Sequence, residues 1–122
     1  FTGWMPADPI LSVLVALLVL RGAWVVVRGS GHILLEGAPD GFDGDLVARD
    51  LAANIAEVEN VHHVHAWSIT QERPMITLHA RISDNAAPEP VRAAIKARLA
   101  GHHSIAHATV EIKHGRCADG AD

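Results

Sequence analysis

A chain of 122 residues has room for one domain of ordinary size. Its formal charge of −4 supplies none of the clustered Lys and Arg that phosphate neutralisation requires, which excludes nucleic acid as a partner. Three Trp, two Phe and no Tyr argue against a large aromatic-lined pocket for an organic ligand. Hydrophobic residues, 49 % of the total, crowd into the first third, whereas acids, bases and histidines gather in the remainder, so two environments share one chain. A single cysteine, Cys117, excludes an internal disulfide and suits a reducing compartment. The chain opens on Phe1 rather than Met and reads as a piece of a longer protein.

Residues 10–27, ILSVLVALLVLRGAWVVV, contain one charge, and as a helix would rise roughly 27 Å at about 1.5 Å per residue, close to a hydrocarbon core. No basic start or small-residue cleavage site marks a signal peptide, so the segment is expected to span a membrane. Trp4 and Trp24 bracket it as interfacial aromatics, Pro9 suits a first helical turn, and Arg21 can snorkel. Arg21 and Arg28 lie on the carboxy-terminal side, which the positive-inside rule assigns to the cytoplasm. A fully buried helix of a soluble metal chaperone is the alternative. We expect domains at 1–35 for the membrane helix, 36–44 for a linker rich in Gly, Pro and Asp, 45–116 for a cytoplasmic domain and 117–122 for a tail.

Asp43 or Asp45 can cap a helix over 45–58, in which Leu46, Val47, Leu51, Ile55 and Val58 recur at helical spacing. Two runs rich in alternating and β-branched residues follow, 61–70 and 75–82, and predict a hairpin. Pro88 or Pro90 opens a second helix that Gly101 ends, and 106–113 supplies a last strand. The order predicts an α+β fold, one transmembrane helix followed by a ferredoxin-like α-β-β-α-β domain with its helices on one sheet face.

Nine histidines occur, at 32, 62, 63, 65, 79, 102, 103, 107 and 114. A hairpin symmetric about Glu72 sets His65 opposite His79, with Cβ atoms roughly 4.5 to 5.5 Å apart, close enough for two imidazoles to share a metal ion. His62, His63, His102, His103 and His107 read as solvated residues near turns and strand ends, and Trp67 as a packing residue. His114 and Cys117 can add a third ligand. Imidazole selects zinc, copper, cobalt or nickel over calcium and magnesium. A cross-strand polar pair in a metal-independent dimerisation module is the alternative reading. No Gly-rich phosphate loop, nucleophile elbow or carboxylate pair beside a base is present, so no enzyme is expected.

Asp8 and Pro9 in ADP, Leu35, Glu36, Gly37 and Pro39 in LLEG-x-P, and Val64, His65 and Trp67 in VH-x-W together resemble the cation diffusion facilitators, in particular bacterial zinc exporters. The resemblance covers nearly the whole chain. It implies the sixth membrane helix and cytoplasmic domain of a multi-pass inner (plasma) membrane protein. Such a protein works as a homodimer that exchanges Zn²⁺ or a related divalent ion for protons. It also implies that metal in the cytoplasmic domains stabilises the dimer, with His65 and His79 at family metal positions and His114 or Lys113 at the third-strand position. The family's transport-site His and Asp residues belong to helices that this chain lacks.

Overall fold

The computed structural model describes residues 7–70 and 73–116, which divide into two compact units between Leu35 and Glu36. In the first, helix α1 runs from Ala7 to Leu34, and none of its residues is buried. Asp8 sits in its first turn, where the helix dipole favours an acid, and the Ser12 hydroxyl donates to the Asp8 carbonyl at 2.9 Å. Its mean hydropathy reaches 2.5, so by length and composition α1 is able to cross a bilayer. Trp4 lies outside the described residues.

The second unit follows the predicted order: α2 (Gly44–Asn54), β1 (Val58–Thr70), β2 (Arg73–Ile82), α3 (Pro88–His102) and β3 (His107–Lys113). Leading into it, the Phe42 amide donates to the Pro39 carbonyl at 3.0 Å across a turn. The turn needs the left-handed φ of 74° that Gly41 supplies. Asp43 caps α2, its carboxylate accepting from the Asp45 and Leu46 amides at 2.9 and 3.1 Å.

Helix α2 stops at Asn54, four residues short of the expected end at 58. Ile55 is extended and Val58 opens β1. Both are apolar and buried, which satisfies a helical period and a strand equally, and β-branching tips the choice toward the strand. The helix α3 starts at Pro88 as expected but runs through Gly101 to His102. Reversal falls instead at Ser104, whose φ is 56°, with the Leu99 carbonyl accepting from the His103 and Ile105 amides, each at 3.1 Å.

The sheet order is β1-β2-β3, with β1 and β2 antiparallel and β2 and β3 parallel across the α3 crossover. Alternation in β2 buries Ile76, Leu78, Ala80 and Ile82 against the helices, where they meet Val47 and Leu51 of α2, Val91, Ile95 and Leu99 of α3 and Val110 of β3. Both helices therefore cover the same face, and the other face stays open.

An ion-pair network ties α2 to α3. Arg98 holds Asp50 bidentately, Nε to Oδ2 at 2.8 Å and Nη2 to Oδ1 at 2.7 Å, and His103 Nε2 lies 2.9 Å from Oδ2. The Asn54 amide donates to Oδ1 at 3.1 Å. Hydrogen bonds from Arg98 first and His103 second hold the Asp50 carboxyl well below the usual carboxylate range, against the opposing effect of burial.

Candidate metal centre

The open face collects what the core excludes. In β2 the residues between the buried ones are Thr77, His79 and Arg81. In β3, whose Ala108, Val110 and Ile112 pack on the core, they are Thr109, Glu111 and Lys113. The parallel register makes His79 and Glu111 direct partners, with Arg81 and Lys113 paired in the next row.

On β1 the hairpin departs from the symmetric register that the sequence predicts. Near the turn Thr70 pairs with Arg73, and the expected centre at Glu72 lies outside the described residues. From there β1 gains one residue on β2 at three irregularities, between Ser68 and Thr70, between His62 and His65, and between Val58 and Asn60. His65 therefore pairs with Thr77, and the partner of His79 is His62. The expected opposition of His65 and His79 is corrected to this: both project from the open face, one row apart.

The middle irregularity builds the site. His63 has φ 50°, the left-handed region that an L-residue enters at some expense and histidine more readily than most. This bulge breaks strand alternation, so consecutive residues His62 and His63 both turn toward His79. His63 Nδ1 and His79 Nδ1 are 3.4 Å apart. Ring centroids of His62 and His63 are 5.3 Å apart, those of His62 and His79 5.6 Å, and those of His63 and His79 5.0 Å, all edge-to-face. One nitrogen from each of the three lies within 4.8 Å of the others, on half-buried side chains. Tetrahedral zinc with bonds of about 2.0–2.1 Å needs N···N separations of about 3.3 Å, so the His63–His79 pair is already at ligand spacing.

Around the cluster, His79 Nε2 is 3.1 Å from Glu111 Oε2, Lys113 Nζ is 3.0 Å from Glu111 Oε1, and Arg81 pairs with Glu59 at 3.2 Å. Three neutral imidazoles with a water or carboxylate completing the shell suit a borderline divalent ion. Of the residues singled out from sequence, only His79 belongs to this cluster. His65 is exposed, and His114 is exposed beyond the end of β3, its Nδ1 3.3 Å from the Ser83 carbonyl. Cys117 lies outside the described residues. From sequence His62 and His63 read as solvated residues near a strand end, and strict alternation would in any case send such neighbours to opposite faces. The signal available was the doublet itself, since an HH pair in a strand converges only across a bulge.

The arrangement is that of an α+β domain with a histidine cluster on its open sheet face, following in sequence a helix long and apolar enough to cross a bilayer, and it has counterparts among known proteins. Residues 45–114 match the family described as "Cation efflux protein, cytoplasmic domain". The zinc transporter ZitB of Pectobacterium atrosepticum is 43 % identical over 119 residues, 98 % of this chain and 37 % of that protein; ZitB of Escherichia coli K12 is 44 % identical over 117 residues, 96 % and 37 %. The metal-bound C-terminal domain of the CzcD transporter from Cupriavidus metallidurans superposes with a TM-score of 0.53 at 26 % identity, covering 59 % of this chain and 99 % of that one. The chain belongs to the cation efflux protein family, as its sequence motifs imply, and spans a little over a third of the length of the curated relatives it matches.

Proposed function

We propose that this chain is the carboxy-terminal part of a proton-coupled zinc or related divalent-cation exporter of the inner membrane. In this reading α1 is its last span, and the domain after it is a cytoplasmic module that binds metal and dimerises. The metal is both cargo and signal: His62, His63 and His79 take an ion on the open sheet face, and occupancy biases the dimer. The observation that carries this reading is the convergence of three imidazoles on a bulged strand, two of their nitrogens 3.4 Å apart. The ZitB relatives are zinc transporters and a Bacillus subtilis relative is a cadmium, cobalt and zinc/H(+)-K(+) antiporter, which supports zinc, cadmium or cobalt as cargo. In place of the pair His65 and His79 with His114, we propose His62, His63 and His79 as the ligands.

Calorimetric titration of the chain in detergent with Zn²⁺ tests it, combined with sedimentation with and without chelator. Binding is expected at neutral pH and is expected to weaken on acidification, because protons compete with the metal for the ring nitrogens. Dimerisation is expected to tighten with metal. A dimer indifferent to chelator, with no Zn²⁺ uptake, would replace this reading by a metal-independent dimerisation module.

A further inference from the structure

We propose that Glu111 is the positioning residue of His79, selecting the ring tautomer that turns the Nδ1 lone pair toward His63 and the cluster, where a metal ion would bind. This rests on the metal-site reading of the histidine cluster. The two nitrogens of His79 face different neighbours: Nδ1 looks at His63 Nδ1 across 3.4 Å, and Nε2 looks at Glu111 Oε2 across 3.1 Å. A neutral imidazole carries one N–H. A carboxylate accepts and cannot donate, so Glu111 draws that proton to Nε2, and the Nδ1 lone pair is left pointing into the cluster. An ion bound there displaces no proton from His79.

The backbone places the two side chains beside each other. Glu111 is the direct register partner of His79, and with Ala108, Val110 and Ile112 packed on the core its side chain projects from the open face, as His79 does. Its other oxygen, Oε1, is held by Lys113 Nζ at 3.0 Å, so both oxygens are engaged. Glu111 is half-exposed. It also stands on the wrong side of the ring to be a ligand to the same ion, because the lone-pair directions of Nδ1 and Nε2 diverge. Carboxylates that accept from the distal N–H of a metal-bound histidine fix ring orientation and raise donor strength, and their loss typically weakens metal binding about 10–100-fold.

The test reads the tautomer first, without metal. In the full chain in detergent micelles with ¹⁵N-labelled imidazoles, long-range ¹H–¹⁵N correlation should show His79 as the Nε2–H form. Glu111→Ala should shift it toward the Nδ1–H form, and Glu111→Gln, which keeps an acceptor oxygen, should restore it in part. Zn²⁺ titration of the same variants should then give a loss of about 10–100-fold in Glu111→Ala and less in Glu111→Gln. Backbone amide spectra verify that each variant is folded, and Lys113→Met, which releases Oε1 alone, provides a milder perturbation. An unchanged His79 tautomer in Glu111→Ala overturns the proposal. So does a lower Zn²⁺ stoichiometry in that variant, which would make Glu111 a ligand. Absence of Zn²⁺ binding by the parent chain would overturn the metal-site reading instead, and would leave the metal-free tautomer result standing.

Discussion

His62 and His79 are backbone partners across β1 and β2, and they are so because β1 gains a residue at His63, φ 50°, between this pair and the His65–Thr77 pair. Continued from the His65–Thr77 pair without the bulge, the register would set His63 opposite His79 and turn His62 to the core side, so the two could not both reach His79. The bulge is therefore as much a part of the site as the rings are, and it can be tested apart from them.

Glycine adopts a positive φ without penalty, whereas a β-branched side chain there is a true outlier. His63→Gly should preserve stability, and His63→Val should lower it by about 1–2 kcal/mol relative to His63→Gly. Both should lose metal affinity. Urea unfolding of residues 36–122, followed by Trp67 as their sole tryptophan, separates the two effects. Equal stability of the two variants would mean that β1 accommodates the site without the bulge.

Removing a ligand should be felt more than removing an orienting group. His63→Ala and His79→Ala should each weaken Zn²⁺ binding by more than the roughly 10–100-fold typical of outer-shell losses, while His65→Ala and His114→Ala should leave it nearly unchanged. Competition titration against a chromophoric chelator measures all four. A large loss in His65→Ala with none in His63→Ala would restore His65 as the ligand beside His79.

The contrast between these residues marks what the sequence could convey. Ile76, Leu78, Ala80 and Ile82 alternate with Thr77, His79 and Arg81, so the open face of β2 and the placement of His79 on it were legible from period alone. The partner of His79 was not. Register depends on where the chain turns and on each extra residue in β1, and a bulge leaves no mark on composition because any residue that tolerates a positive φ can occupy it. Similarly, Asp43 was readable as a cap, while the end of α2 was hidden by Ile55 and Val58, which suit a helix face and a strand equally. Gly101 misled in the opposite direction. The helix continues through it because reversal occurs where the Leu99 carbonyl meets the amides of His103 and Ile105.

The scaffold behind the site depends on few side chains. Ile95 and Leu99 are fully buried on α3 and pack against the sheet face opposite the histidines. Ile95→Ala or Leu99→Ala should cost about 2–5 kcal/mol in the same urea experiment, at the upper end if the cavity cannot collapse. Exposed Leu46→Ala, on the neighbouring helix, should cost far less and serves as the control.

Acid should loosen the link between α2 and α3. Asp50 is held ionised by Arg98 and His103, its folded-state pKa depressed below the ordinary 3.8. A depressed carboxylate contributes stability that is fully present above its unfolded pKa and is lost as pH falls through the folded one, so the window opens near pH 4 and extends downward. At pH 7, Asp50→Asn should be less stable than the parent by about 1–2 kcal/mol, the scale of hydrogen bonds to a charged group with partial solvent access. Below pH 4 the difference should shrink, since the unfolded parent then takes up a proton that the folded carboxyl resists. Comparing the two proteins by urea unfolding at pH 7, 5, 4 and 3 cancels the titration of every other acid. A difference that stays constant across that range would mean that Asp50 contributes packing rather than charge, and that the ion pair with Arg98 is incidental to how the two helices are held.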